Sequence, residues 1–189
     1  MVAFVAELVA GGCTLIQYRS KTGNARIMLE QAHALREHSR AGASAPHVLK
    51  LIMNDRADLC LAAEFDGVHV GQDDLSPESV RRIIGPDRWL GVSTHNSGQL
   101  TEADRTSADY LAIGPVFSTS SKAKPDPVVG LEGVRRARAL TRKPLVAIGG
   151  ITRANAASVI EAGADSVAVI GDLIREPRKS AEEFLRVLR

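Results

Sequence analysis

The stretch LVAIGGITRANAASVIEAGADSVAVIG, residues 145–171, decides the fold. A short apolar run, Leu145–Ile148, leads through Gly149 and Gly150 into a helical pattern over Arg153–Ala162. Gly163 then precedes a second apolar run, Ser166–Ile170. Glycine just past the last helical residue is a common C-terminal stop. Apolar runs without alternation suit strands buried on both faces, and strand–helix–strand at this spacing suits a parallel βαβ unit.

The same succession extends outward from this unit. Further strand candidates are Cys13–Arg19, Val48–Met53, Gly67–Val70, Leu90–Ser93 and Tyr110–Phe117. Helical periodicity covers Ala25–Arg40, Pro77–Ile84, Val134–Leu140 and Ala181–Leu188. Ser76 followed by Pro77 supplies an N-cap and a proline at the first helical position. Parallel strands alternating with helices leave two architectures open, a doubly wound open sheet and a closed barrel. A helical segment, MVAFVAELVAGG, comes first and seven strands follow. The eighth strand of a barrel would belong before Met1. The spacing predicts one domain over 1–189.

Bulk properties narrow the functional classes. A net charge of +2, with acids and bases interleaved, leaves no electrostatic footprint for nucleic acid or an anionic membrane. No apolar stretch approaches the roughly 20 residues that span a bilayer. Cys13 and Cys60 lie in apolar runs, which fits a reduced, cytoplasmic protein better than a disulfide framework. Oligomeric state stays open, and a homo-oligomer is compatible with all of this.

In parallel αβ barrels, reactive groups gather at the C-terminal ends of strands. The first candidate ends in Gln17-Tyr18-Arg19-Ser20-Lys21, and strand alternation puts Gln17, Arg19 and Lys21 on one side. Two cations there suit a phosphate or diphosphate, and a solvated strand end accounts for them equally well. Asn54-Asp55 and Gly71-Gln72-Asp73-Asp74 end the next two strands. Their carboxylates suit a shared Mg²⁺, which takes one or two carboxylates plus phosphate oxygens. Taken singly, each acid also suits a helix N-terminus. Ser93 puts a hydroxyl at another strand end, and His69, inside a strand, reads as a core or second-layer residue. The loop Ser118–Val129 carries Thr119, Ser121 and Lys122, an anion clamp or simply a polar loop. Gly149-Gly150, and Gly171 after Ile170, stand where such barrels cradle phosphate on backbone amides.

In order along the chain, QYRSK, NDRAD, HVGQDDL, GVSTH, GPVFSTSSK, AIGGIT and AGADSVAVI resemble the thiamine-phosphate synthase family from Gln17 to about Asp172. The resemblance implies a (β/α)8 TIM barrel, here apparently lacking its first β-strand at the N-terminus. It also implies a transferase that condenses a pyrimidine diphosphate with a thiazole phosphate, with Mg²⁺, releasing pyrophosphate. Gln17, Arg19, Lys21 and Asn54 would hold the pyrimidine diphosphate, and Asp55 and Asp74 the metal. Ser93 would lie near the reacting centre. Thr119, Ser121 and Lys122 would bind thiazole phosphate and pyrophosphate. Gly150, Ile170 and Gly171 would supply phosphate contacts, with Ser93, Lys122 and Arg19 the catalytic set. Three departures stand out: no strand of the family's opening LYLIT type, Gly171 where serine is common, and Tyr18 where leucine is usual. Rival expectations are a thiazole tautomerase, whose reactive histidine is replaced here by Pro115, and a catalytically impaired phosphate-binding barrel.

Overall fold

The computed structural model describes residues 1–21, 23–41, 49–119 and 126–188. Helix α1 (Val2–Ala10) comes first, followed by β1 (Leu15–Tyr18), α2 (Ala25–Ala41) and β2 (Lys50–Asn54). Next come α3 (Ala57–Ala62), β3 (Gly67–Val70), α4 (Pro77–Ile84) and β4 (Trp89–Thr94). Helix α5 (Ser97–Asp104), β5 (Tyr110–Ile113), α6 (Gly130–Leu140) and β6 (Leu145–Ile148) follow. Helix α7 (Ala156–Glu161), β7 (Ser166–Ala168), a 3₁₀ turn (Gly171–Leu173) and α8 (Pro177–Val187) complete the chain.

All seven strands pair in parallel and in sequence order, β1 to β7. The closed eight-stranded barrel is therefore corrected to an open, seven-stranded TIM-like sheet. Among the described residues, nothing pairs with the outer edge of β1 or of β7. Outside, the helices do meet across this gap, because α1 packs on both α2 and α8. Gly11 permits that contact: a Cβ there would lie 2.4 Å from the carbonyl oxygen of Arg178.

The core lies between sheet and helices. Leu51, Met53, Val68, Val70, Leu90, Leu111 and Leu145 alternate onto that face and are fully buried. The opposite, inner face carries Gln17, Asn54, His69, Gly91, Ser93 and Ala112, small or polar residues placed by the strand register. The same register sets apolar Ile52 and Ile148 on that inner face beside them.

At the N-terminal ends of the strands one staple recurs three times. Asp66, Asp109 and Asp165 accept the backbone N–H of Leu51, Leu90 and Leu145 at 2.9, 2.7 and 2.7 Å. Each is also ion-paired to an arginine of the helix before that strand: Arg36, Arg81 and Arg138, at 2.8, 2.6 and 2.8 Å. One carboxylate thus locks a helix and two neighbouring strands in register, far from the rim where ligands would bind.

Several boundaries differ from those expected. The run Tyr110–Phe117 stops being strand at Ile113, since Pro115 has no amide hydrogen for the ladder. Helices α3 and α5 were not legible as apolar periodicity, α3 because it spans only six residues and α5 because Leu100 is its one large apolar side chain, although Asn96 caps α5 by accepting the Gln99 N–H at 2.9 Å. Asp109→Ala is expected to lower unfolding free energy by about 1.5–3 kcal/mol, the scale of a hydrogen bond to a charged group. Urea denaturation would measure it, with the rim chemistry retained at temperatures where the protein stays folded.

Candidate active site

Strands that all run one way deliver their C-terminal ends to one rim. There, β1 leads into Arg19-Ser20-Lys21, and β2 ends in Asn54, followed by Asp55. Lys21 Nζ lies 2.5 Å from Asp55 Oδ2. Asp55 has φ 62°, a left-handed conformation rare outside glycine, and its N–H is held by the carbonyl of His69 at 2.8 Å. Such strain persists where the surroundings dictate it, and it clusters at functional sites.

Asp74, beyond β3, accepts the Gly71 N–H at 2.7 Å and faces Asp55. Burial pushes the Asp55 carboxyl above its ordinary range; Lys21 pulls it back, and Asp74 pushes it up again. Asn54 is buried and stands beside His69 across the sheet. Of the first cluster, then, Lys21, Asp55 and Asp74 come together, with Asn54 next to them. Gln17 and Arg19 are exposed at the same strand end, and their side chains meet no hydrogen-bond partner among the described residues.

Ser93, near the end of β4, is held twice. Its Oγ is 2.7 Å from His69 Nε2, and its carbonyl accepts the Gln72 side-chain amide at 2.6 Å. His69 Nδ1 in turn lies 3.0 Å from Tyr110 Oη. Burial pulls the imidazole down to about 4, so it is neutral near pH 7. Burial raises the Tyr110 phenol, which keeps its proton.

Gly149 and Gly150, after β6, have φ 87° and 66°. A Cβ on Gly150 would lie 2.4 Å from the Ser118 carbonyl oxygen, so glycine lets this loop close against the loop after β5. Ile170 and Gly171, after β7, are exposed, and no heavy atom crowds Gly171. A clamp ties these two glycine loops together: the Arg153 N–H and Nε reach Asp172 Oδ2 at 2.8 and 3.0 Å, and Arg153 Nη1 reaches Glu183 at 2.6 Å. Arg153 holds the Asp172 carboxyl below its ordinary range.

Thr119 is half-buried after the β5 loop, while Ser121 and Lys122 lie outside the described residues. Tyr110, Gln72 and the Arg153–Asp172 clamp were not singled out from sequence. Tyr110 begins a strand and Arg153 follows the glycine pair, but only the register and the loop fold bring them to other site residues. The other rim histidine, His95, points elsewhere: its Nδ1 is 2.5 Å from the Gly114 carbonyl and its Nε2 is 3.4 Å from Asp126.

Comparison with known proteins agrees with this geometry. The family model for thiamine monophosphate synthase matches residues 1–173. The chain is 59% identical over 185 residues to the thiamine-phosphate synthase of Koribacter versatilis, covering 98% of this chain and 85% of that one. Against the thiamine-phosphate synthase of Chloroflexus aurantiacus it is 45% identical, covering 91% and 77%. The solved thiamine phosphate pyrophosphorylase from Pyrococcus furiosus superposes with a TM-score of 0.87 at 35% identity, covering 99% of this chain and 88% of that one. Motif order, rim geometry and these likenesses agree: the chain belongs to the thiamine monophosphate synthase family, transferases of thiamine biosynthesis.

Proposed function

We propose that the chain joins 4-amino-2-methyl-5-hydroxymethylpyrimidine diphosphate to 4-methyl-5-(2-phosphoethyl)thiazole, or its carboxylated form, giving thiamine phosphate and pyrophosphate. The observation that carries this reading is the meeting of Lys21, Asp55 and Asp74 on one rim, next to Asn54. Two acids side by side, one of them (Asp55) pushed up in part by the other, suit Mg²⁺, whose shell is completed by water and phosphate oxygens. Among the described residues, no group of three or more His, Cys, Asp or Glu side chains is placed to hold a metal. A two-carboxylate site that shares the ion with a substrate accords with this better than a closed all-protein cage does.

Mg²⁺ bound at Asp55 and Asp74 would offset the negative charge that develops on the departing diphosphate. Gln17, Arg19, Lys21 and Asn54 hold the pyrimidine diphosphate. Ser93 donates a hydrogen bond toward the leaving oxygen. The amides of Gly150, Ile170 and Gly171 take a phosphate, while Thr119, Ser121 and Lys122 bind thiazole phosphate and pyrophosphate. The methylene–oxygen bond breaks with its electron pair passing to the diphosphate, and the thiazole nitrogen lone pair then forms the new C–N bond. No protein nucleophile is required. In keeping with that, the histidine beside Ser93 meets a phenol on its far side and no carboxylate orients it. A thiazole isomerase would need an acid–base group where Pro115 stands, and proline offers none.

Pyrophosphate release, followed with Mg²⁺ and both substrates, should require all three. Isomerisation of the thiazole alone, without pyrophosphate, would contradict the proposal. Lys122→Ala should lower kcat/KM about 10²–10³-fold, the scale of removing one group that stabilises transition-state charge, while the thermal midpoint stays near the parent value. In the parent protein the raised Asp55 carboxyl makes protons compete with Mg²⁺, so apparent Mg²⁺ affinity falls with pH already above the ordinary carboxylate range. Asp74→Asn should raise the Mg²⁺ requirement yet move that acid limb to lower pH, because Asp74 is one cause of the rise. An unchanged metal requirement would remove Asp74 from the site.

A further inference from the structure

We propose that Tyr110 and His69 form a directed relay that fixes the Ser93 hydroxyl as a hydrogen-bond donor toward the departing diphosphate, so that both are positioning residues for the transfer. The inference rests on the proposed role of Ser93 and adds to it the direction of its hydrogen.

Strand register builds the relay. His69 pairs with Gly91, and Gly91 with Tyr110, so the three form one row across β3, β4 and β5. Ser93 lies two residues further along β4, on the same face and nearer the rim. The central glycine is what lets the outer two side chains meet: a Cβ there would lie 2.1 Å from Tyr110 Cζ and 2.4 Å from His69 Nδ1. The two rings approach with centroids 5.5 Å apart, tilted by 34°.

Counting hydrogens sets the direction. A phenol has one hydrogen, and among the described residues Tyr110 Oη has one recorded partner, His69 Nδ1. A neutral imidazole donates from one nitrogen and accepts at the other. If Tyr110 donates to Nδ1, the imidazole hydrogen sits on Nε2 and points at Ser93 Oγ. Ser93 then accepts there, and its own hydrogen is left for the barrel mouth. The reverse polarity would turn the Ser93 hydrogen inward to Nε2 and leave the hydrogen of the half-buried Tyr110 with no acceptor among the described residues. Leaving a donor unmatched at such a site is unfavourable, which favours the first polarity. The Gln72 amide on the Ser93 carbonyl steadies the backbone that carries the hydroxyl.

Two measurements test the relay. Long-range ¹H–¹⁵N correlation spectra of the unsubstituted protein should show His69 as the neutral Nε2–H tautomer; an Nδ1–H tautomer or an imidazolium would overturn the proposal. In kinetics, Tyr110→Phe and His69→Gln should each lower kcat about 10–100-fold, as loss of an orienting partner does elsewhere, with KM for both substrates and the thermal midpoint near parent values. Combined with Ser93→Ala, neither should reduce kcat further. Full additivity with Ser93→Ala would mean that the two act by another route and would sink the relay. Ser93→Ala with undiminished kcat would overturn the role of Ser93, and the relay with it, while Mg²⁺-dependent pyrophosphate release would still stand on its own.

Discussion

Everything at the site depends on seven strands running parallel and pairing in order. Parallel pairing sends every C-terminal strand end to one rim, so side chains far apart in sequence converge there without long loops. Lys21 and Asp55 meet across 34 positions, and His69 and Tyr110 across 41. A slip of one residue in any pair would turn the inner face outward, because strand side chains alternate with a period of two. The row His69–Gly91–Tyr110 would be lost along with the Ser93 contact.

The two ends of the sheet are built for opposite purposes. At the N-terminal end, three aspartate–arginine staples tie strand amides to helices and hold the register. At the C-terminal end, Asp55 holds a left-handed backbone conformation, and two acids are kept side by side. Strain and like-charge crowding disfavour folding, and they recur where a ligand compensates them. The division lets the rim be electrostatically crowded while register is enforced elsewhere. The Arg153–Asp172 clamp is an intermediate case, an ion pair on the rim that ties the two glycine loops after β6 and β7.

Much of this was legible in the sequence, for identifiable reasons. Strands β3 and β6 and helix α4 had the expected limits, because glycine, proline and an N-capping serine punctuate them. Lys21, Asp55 and Asp74 could be placed near one rim because each follows closely after a strand run, while their roles rested on the family resemblance. His69 was expected as a buried or supporting residue, and it is buried in β3. Other features depend on three-dimensional pairing that no local pattern encodes. The importance of Gly91 shows only when Tyr110 and His69 are seen to occupy the space above it. The expected closed barrel is an open sheet, since among the described residues no strand pairs β7 with β1. The outer helices nonetheless meet there through α1 and α8, burying apolar surface across the gap.

The central claim is that one rim gathers the metal, the leaving group and the Ser93 hydroxyl. Crystals grown with Mn²⁺ in place of Mg²⁺, together with pyrophosphate, would test it most directly through the anomalous signal of the metal. The account expects a peak shared by the Asp55 and Asp74 carboxylates, with pyrophosphate oxygens on it and Ser93 within hydrogen-bond reach of that anion. Metal and anion at the opposite end of the sheet, or held by residues away from Asp55 and Asp74, would contradict it.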